Sequence, residues 1–305
     1  MTKRRRIVVV LNAGSGGGCD EAFAARLAAL FRAAGADAKV RLARNGSEIG
    51  VAVAAAIAER PDAIVAGGGD GTVSAIGGAL VDSEISFGIL PLGTLNHFAK
   101  DMGLSLDLDA AVGHIVRGQP KRVDVGEVNG RIFINNASLG LYPDMVRHRE
   151  QQQKRFGRGK WSAMLWASVG ALRRYPFLGV RLSVDGREML CRTPFVFIGN
   201  NEYSMEGFSA GKRKGLGGGL LSLYVARRPG RLRLLQLAAR ALVGRLRQAR
   251  DFDALHASRI VVESRRRRLH VATDGEVRIM TPPLCFRIRP ASLAVLRDDS
   301  VSASA

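Results

Sequence analysis

Three observations predict an α/β protein built in two parts. From Ile7 to Val125, short apolar runs alternate with stretches of helical periodicity. Several of these runs end in glycine-rich loops, at Asn12–Gly18, Gly67–Thr72 and Pro91–Asn96. After Arg122 the pattern becomes apolar–polar alternation, the period of strands with one buried face. Strands that alternate with helices close a parallel sheet covered on both faces, so residues 1–124 read as a doubly wound, Rossmann-like α/β domain. Residues 125–297 read as a β-sandwich domain with helical insertions, and 298–305 as a flexible polar tail.

Ile7 to Leu11 is a continuous apolar run, as expected of a strand buried on both faces. Asp20 can cap the next helix, on which Phe23, Leu27, Leu30 and Phe31 share one stripe and Gly35 supplies a stop. A second helix is predicted over Ser47–Arg60, closed by Pro61. Ala63–Ala66 and Phe87–Leu90 are the next strands, each running straight into a glycine loop. In the second part, Arg131–Asn135, Gly179–Val184, Pro194–Ile198, Leu220–Ala226, Arg259–Glu263 and Leu269–Thr273 read as antiparallel strands. Helical stretches at Lys160–Arg174 and Arg231–Arg250 interrupt them.

With 47% hydrophobic and 24% charged residues the chain has an ordinary globular composition, so disorder is not the default. No apolar stretch reaches the ~18–20 residues that a membrane-spanning helix needs. Lys3–Arg6 and the apolar run behind them superficially resemble a signal peptide. The run is short, however, and passes into Asn12 and glycines instead of a cleavage site, so a cytoplasmic protein is expected. Cys19, Cys191 and Cys285 are far apart and in no CxxC spacing, which argues against a disulfide framework and a zinc site. The net charge of +19 draws the chain to polyanions, whether nucleic acid, anionic headgroups or phosphate-bearing substrates.

Glycine loops at the carboxyl ends of strands lie where open α/β sheets bind ligands. Asn12-Ala13-Gly14-Ser15-Gly16-Gly17-Gly18 lacks the Gly-Lys-Ser/Thr of a Walker A loop, and Cys19 stands in place of the third glycine of a dinucleotide fingerprint. Its backbone N–H groups can still approach a phosphate. Gly68-Gly69-Asp70-Gly71-Thr72 is more specific. Glycines open the backbone, Asp70 supplies an oxygen for magnesium, and Thr72 a hydroxyl at the helix start, with Val73 and Ser74 following. A purely structural glycine turn has no use for the acid. In the third loop, Gly93-Thr94-Leu95-Asn96, a capping role for Thr94 is compatible with phosphate binding at the same helix end.

Asn12 to Gly16, Gly68 to Thr72, Gly93-Thr94-Leu95-Asn96-His97-Phe98-Ala99 and, late in the chain, Asp274-Gly275-Glu276 resemble the diacylglycerol kinase catalytic family in order and spacing. More narrowly, the chain resembles its bacterial lipid kinase branch, related to sphingosine and ceramide kinases, over nearly its whole length. That resemblance implies a nucleotide domain, a β-sandwich domain and substrate bound between them. It implies transfer of the γ-phosphate of ATP, with magnesium, to the hydroxyl of diacylglycerol or a related glycerolipid. The ATP site then falls on Asn12, Ala13, Gly14, Ser15 and Gly16, on Gly68 to Ser74, and on Gly93, Thr94 and Asn96. Glu276 becomes the general base and Asp70 its catalytic companion, while Asp124 matches an acid that helps to hold the Mg-nucleotide.

Two positions depart from the family pattern. His97 stands where an aspartate is common, and a neutral imidazole does not replace an anionic ligand for a hard cation. The structural magnesium loop, typically Asp-Gly-Leu-Leu, is here Gly218-Gly219-Leu220-Leu221, which leaves the Leu220 carbonyl as a metal ligand but no acid. Basic amphipathic stretches at Lys154–Tyr175 and Arg231–Arg250, and an arginine turn at Arg265–Arg268, suit an anionic membrane surface, although packed or solvated faces have the same pattern. The expected place is therefore the inner membrane surface, peripherally. Nucleic acid is not favoured as a partner, and a homodimer is left open. An NAD kinase-like phosphotransferase shares the Gly-Gly-Asp-Gly-Thr loop, and a non-catalytic polyanion-binding module that kept the fold is the other alternative. The presence of both Asp70 and Glu276 argues for activity.

Overall fold

The computed structural model describes residues 4–15, 19–140, 177–203, 213, 215–226 and 252–298. The chain divides into two compact units, Met1–Val125 with Pro290–Ala305, and Gly126–Arg289.

The first unit runs β1 (Arg6–Asn12), α1 (Glu21–Ala33), β2 (Asp37–Ala43), α2 (Gly46–Ala58), β3 (Ala63–Gly68), α3 (Asp70–Ala79), β4 (Ser86–Pro91), α4 (His97–Asp101) and α5 (Leu108–Arg117). Asp20 accepts the Phe23 N–H at 2.8 Å and so caps α1, whose Leu27 and Phe31 are fully buried. Helix α2 begins slightly earlier than its periodicity suggests, because Asn45 accepts the Glu48 N–H while Glu48 accepts the Arg44 N–H. That reciprocal capping satisfies donors an open helix start would leave unpaired. The helix ends at Ala58, just before Arg60 turns to a left-handed φ of 48° ahead of Pro61.

Strands in this unit are ordered β2-β1-β3-β4, all parallel, with Ile7–Leu11 of β1 paired to both neighbours. Crossovers leaving β1 in one direction and β2 in the other put their helices on opposite faces. Accordingly α1 packs on α5, and α2 on α3. The order reverses between β1 and β3, the switch point at which such sheets bind ligands. The C-terminal strand Leu284–Arg297 returns to this unit and pairs parallel to β4, Val295 opposite Phe87. Its Leu296 joins Val9, Leu27, Phe31 and Val65 in the core.

The second unit takes the end of β5 (Gln119–Val128), then β6 (Arg131–Phe133), β7 (Asn136–Gly140), β8 (Leu178–Val184), β9 (Arg187–Thr193), β10 (Phe195–Asn200), β11 (Leu221–Ala226), β12 (Phe252–Ala257), β13 (Arg259–Ser264), β14 (Leu269–Thr273) and β15 (Glu276–Met280). One antiparallel layer joins the C-terminal strand, β13, β8 and β9; the other is ordered β12-β11-β10-β7-β14-β15. Val180, Leu182, Ile260 and Phe286 of the first layer share one core with Leu139, Ile198, Leu223 and Val271 of the second. The strand expected over Arg131–Asn135 is broken in two: β6 stops at Phe133 and β7 starts at Asn136. The helical stretches at Lys160–Arg174 and Arg231–Arg250 lie outside the described residues.

Candidate functional site

All three glycine loops follow the carboxyl ends of β1, β3 and β4, and the first two flank the switch point. They are braced against one another. Asn12 donates its amide to the Thr72 hydroxyl at 2.9 Å and accepts the Gly14 N–H at 3.0 Å. Thr72 is buried, and its side chain fills the space a Cβ on Gly68 would need, with the hydroxyl 2.7 Å from that position. Gly69 and Gly93 pass so closely that a Cβ on Gly93 would lie 2.4 Å from the Gly69 Cα. Asn96, in the left-handed region at φ 51°, closes the third loop: it accepts the Gly93 N–H and donates to the carbonyls of Pro91 and Gly93.

This bracing divides the residues singled out in the sequence. Asn12, Thr72 and Asn96 use their polar atoms within and between the loops, and Val73 is buried on the inner face of α3. Asp70 is half-buried in the first turn of α3, whose cap Gly69 has no side chain to satisfy the helix start. Thr94, Leu95 and His97 are exposed, and Ala13 and Ser74 are partly exposed. Ser15 closes a short 3-10 turn after β1, while Gly16 lies outside the described residues. Helix-start N–H groups without a side-chain cap, beside glycines packed backbone to backbone, suit a phosphate.

Asp124 is buried in β5 rather than placed at a surface turn, and it accepts the Ala291 N–H at 2.9 Å. Among the described residues no three His, Cys, Asp or Glu side chains gather to hold a metal ion. Magnesium held by one carboxylate and by the phosphates of a bound nucleotide needs no such cluster, so the Asp70 setting fits it. The Gly218–Leu221 loop brings no acid to a metal. Gly218 gives its N–H to Asn201 Oδ1 at 2.7 Å, and the Leu220 carbonyl accepts the Asn201 N–H at 3.1 Å. A hollow of about 380 Å³ opens at the amino ends of β1 and β2, beside Arg6, Asp37 and Lys39, at the far end of the sheet from the loops.

In the second unit, Asp274 and Gly275 form the two-residue turn of the β14–β15 hairpin, with φ of 49° and 87° and Thr273 opposite Glu276. Both positive φ values are what a type I′ turn requires. The Asp274 carboxylate reaches back to accept the N–H groups of Ile134, Asn135 and Asn136 at 2.8, 2.8 and 3.0 Å. On the other side of that turn, Arg213 donates to the Ile134 carbonyl and to Asn135 Oδ1, Asn200 to the Ile134 carbonyl, and Tyr203 to the Asn135 carbonyl. This gripped turn is what interrupts the strand between Phe133 and Asn136.

Glu276 follows directly, half exposed, and pairs with Arg131 at 2.7 Å and Arg278 at 3.5 Å. Burial and the nearby Arg278 charge hold the Arg131 guanidinium below the usual arginine range, against the pull of Glu276 and Asp274. The clasp at Asp274 was not visible in the sequence beyond its Asp-Gly turn, since its partners lie far upstream in the chain.

Fold and loops together define a class: an open α/β unit carrying glycine loops at its switch point, followed by a two-layer β unit. Residues 6–128 match the diacylglycerol kinase catalytic domain, and 142–297 the YegS C-terminal NAD kinase beta sandwich-like domain. A probable lipid kinase YegS-like of Chromohalobacter salexigens is 33% identical over 62% of this chain and 58% of its own length. A Mycobacterium tuberculosis diacylglycerol kinase is 29% identical over 80% of both chains. The crystal structure of a putative diacylglycerol kinase from Bacillus anthracis superposes with a TM-score of 0.74 at 20% identity, over 99% of this chain and 100% of that one. The chain belongs to the diacylglycerol kinase family, in its YegS-like branch. It spans 58% and 49% of the length of the Chromohalobacter relative and of a Pseudomonas aeruginosa relative with the same description.

Proposed function

We propose that this chain is an ATP- and magnesium-dependent lipid kinase that phosphorylates a hydroxyl of diacylglycerol or a related glycerolipid. The observation that carries this reading is the match of residues 6–128 to the diacylglycerol kinase catalytic domain, over the same residues that brace the glycine loops. Loop backbone and the start of α3 hold the nucleotide phosphates, and Asp70 offers a carboxylate to magnesium, which supplies charge neutralisation at the phosphates when bound. Glu276 accepts the hydroxyl proton as the lipid oxygen bonds to the γ-phosphorus. The bond to the β-phosphate oxygen breaks, and ADP leaves with the electron pair. Arg131 and the Asp274 clasp fix where that carboxylate stands.

The acceptor is tested with γ-labelled ATP and micelles carrying diacylglycerol, phosphatidylglycerol or a sphingoid base, beside a soluble dinucleotide. Label in a glycerolipid is expected. Label only in the dinucleotide assigns an NAD kinase-like activity instead, and no label in any acceptor makes the chain a non-catalytic binder.

A further inference from the structure

We propose that the turn between β13 and β14 is a membrane-docking surface, on which Arg265, Arg266, Arg267 and Arg268, with Arg192 and Leu190 beside them, take an anionic lipid bilayer. All four turn arginines are exposed, and among the described residues none makes an ion pair. The turn itself is held, because Ser264 Oγ accepts the Arg266 N–H at 3.2 Å. Glu263, the acid nearest in sequence, is turned to Arg181 at 4.0 Å, so among the described residues no carboxylate pairs with the four charges. Like charges this close repel one another well within a Debye length, and a polyanion relieves that repulsion.

Register brings further basic and apolar groups to the same end of the layer. Ser264 lies opposite Val180 on β8, Val180 opposite Cys191 on β9, and the next pair outward is Gly179 with Arg192. The Arg192 guanidinium sits over the Phe177 ring, 5.5 Å from its centre. One step inward on the same outer face is Leu190, 82% exposed and opposite Arg181. An aliphatic side chain so open to water finds a favourable partner in the acyl boundary of a bilayer, while the arginines meet its headgroups. A polynucleotide offers Leu190 no such partner, and the turn presents no exposed ring for base stacking.

Strand β14 runs from this turn to the Asp274-Gly275 hairpin, where Thr273 pairs with Glu276 of β15, so the length of β14, about 17 Å at 3.4 Å per residue, separates the arginines from Glu276. The surface therefore tethers the second unit and does not bind the acceptor at the base. It does not depend on the kinase reading.

Sedimentation of the full chain with phosphatidylcholine vesicles, and with an equal mixture of phosphatidylcholine and phosphatidylglycerol, tests it without turnover. Binding only to the anionic vesicles is expected. Replacing all four turn arginines by Gln (R265Q, R266Q, R267Q, R268Q) is expected to weaken it at least about tenfold. The corresponding four lysine replacements should keep it, and Leu190→Ser should weaken it several-fold with the thermal melt unchanged. Vesicle binding that survives the Gln replacements overturns the proposal. So does a Gln variant that loses affinity for polyuridylate alone, which would make the turn a nucleic-acid surface. A lysine variant that melts like the parent yet fails to bind anionic vesicles would overturn it as well.

Discussion

The close passage of Gly69 and Gly93 is the point at which single atoms decide whether the loops can serve a phosphate. A methyl group on Gly93 would lie 2.4 Å from the Gly69 Cα and 2.9 Å from Asn96 Oδ1, and neither is the loose end of a flexible chain. Gly93→Ala should therefore push the second and third loops apart. We expect the apparent KM for ATP to rise at least about tenfold, with a loss of about 1–3 kcal/mol in stability from the overpacked contact. Nucleotide titration beside urea unfolding checks both. The sequence identified these loops because glycine, acid and hydroxyl stand close together in the chain. It did not reveal that Asn12 and Thr72 bond to each other while Asn96 spends its amide on the backbone of its own loop. The Asn12–Thr72 bond spans 60 positions, and local pattern carries no such information.

At the scale of elements, most strands and helices of the first unit stand where apolar runs and caps put them. Their signals are local: Asp20 before α1, and the buried run of β1. The break between β6 and β7 was hidden, because Asp274 imposes it from outside. Another distant contact ties β5 to the C-terminal strand. Glu127 is buried and accepts hydrogen bonds from Arg287 and Arg289, both at 2.9 Å. Burial alone would raise its pKa, but the two guanidinium groups outweigh burial and hold it below the ordinary glutamate value. A carboxyl whose folded pKa is depressed adds stability above its unfolded pKa, about 4.3, and loses it as pH falls through the folded value. Glu127→Gln should therefore cost about 1–3 kcal/mol at neutral pH and less in acid. Urea unfolding at neutral pH and at the acid end checks the sign: a deficit that grows in acid contradicts this reading of Glu127.

For the whole molecule, the order of an α/β unit and a β unit was legible from the change of period near Arg122, and both family matches agree with it. The return of the chain was not legible. Leu284–Arg297 falls inside the β-rich stretch 125–297 with no strand read there, yet its last residues complete the parallel sheet of the first unit through Val295 and Phe87. Sheet pairing between segments so far apart leaves no mark on either one. The kinase account needs both units. Asp70 and the glycine loops belong to the first unit, and Glu276, proposed above as the base, stands in the second on a hairpin anchored by Asp274.

Glu276 is half exposed and its arginine pairs contribute only about 0–1 kcal/mol, so Glu276→Gln should fold and bind ATP as the parent does. Its expected effect lies in the transfer step, a fall of about 10²–10⁴ in kcat. The most direct measurement is mass spectrometry of the lipid product formed from ATP and a mixture of diacylglycerol and phosphatidylglycerol by the parent and by Glu276→Gln, with nucleotide binding followed in parallel. The account predicts phosphorylated lipid from the parent, almost none from the variant, and equal ATP affinity in both. Phosphorylated lipid at parental rates from the variant, or none from a parent that binds ATP, would contradict it.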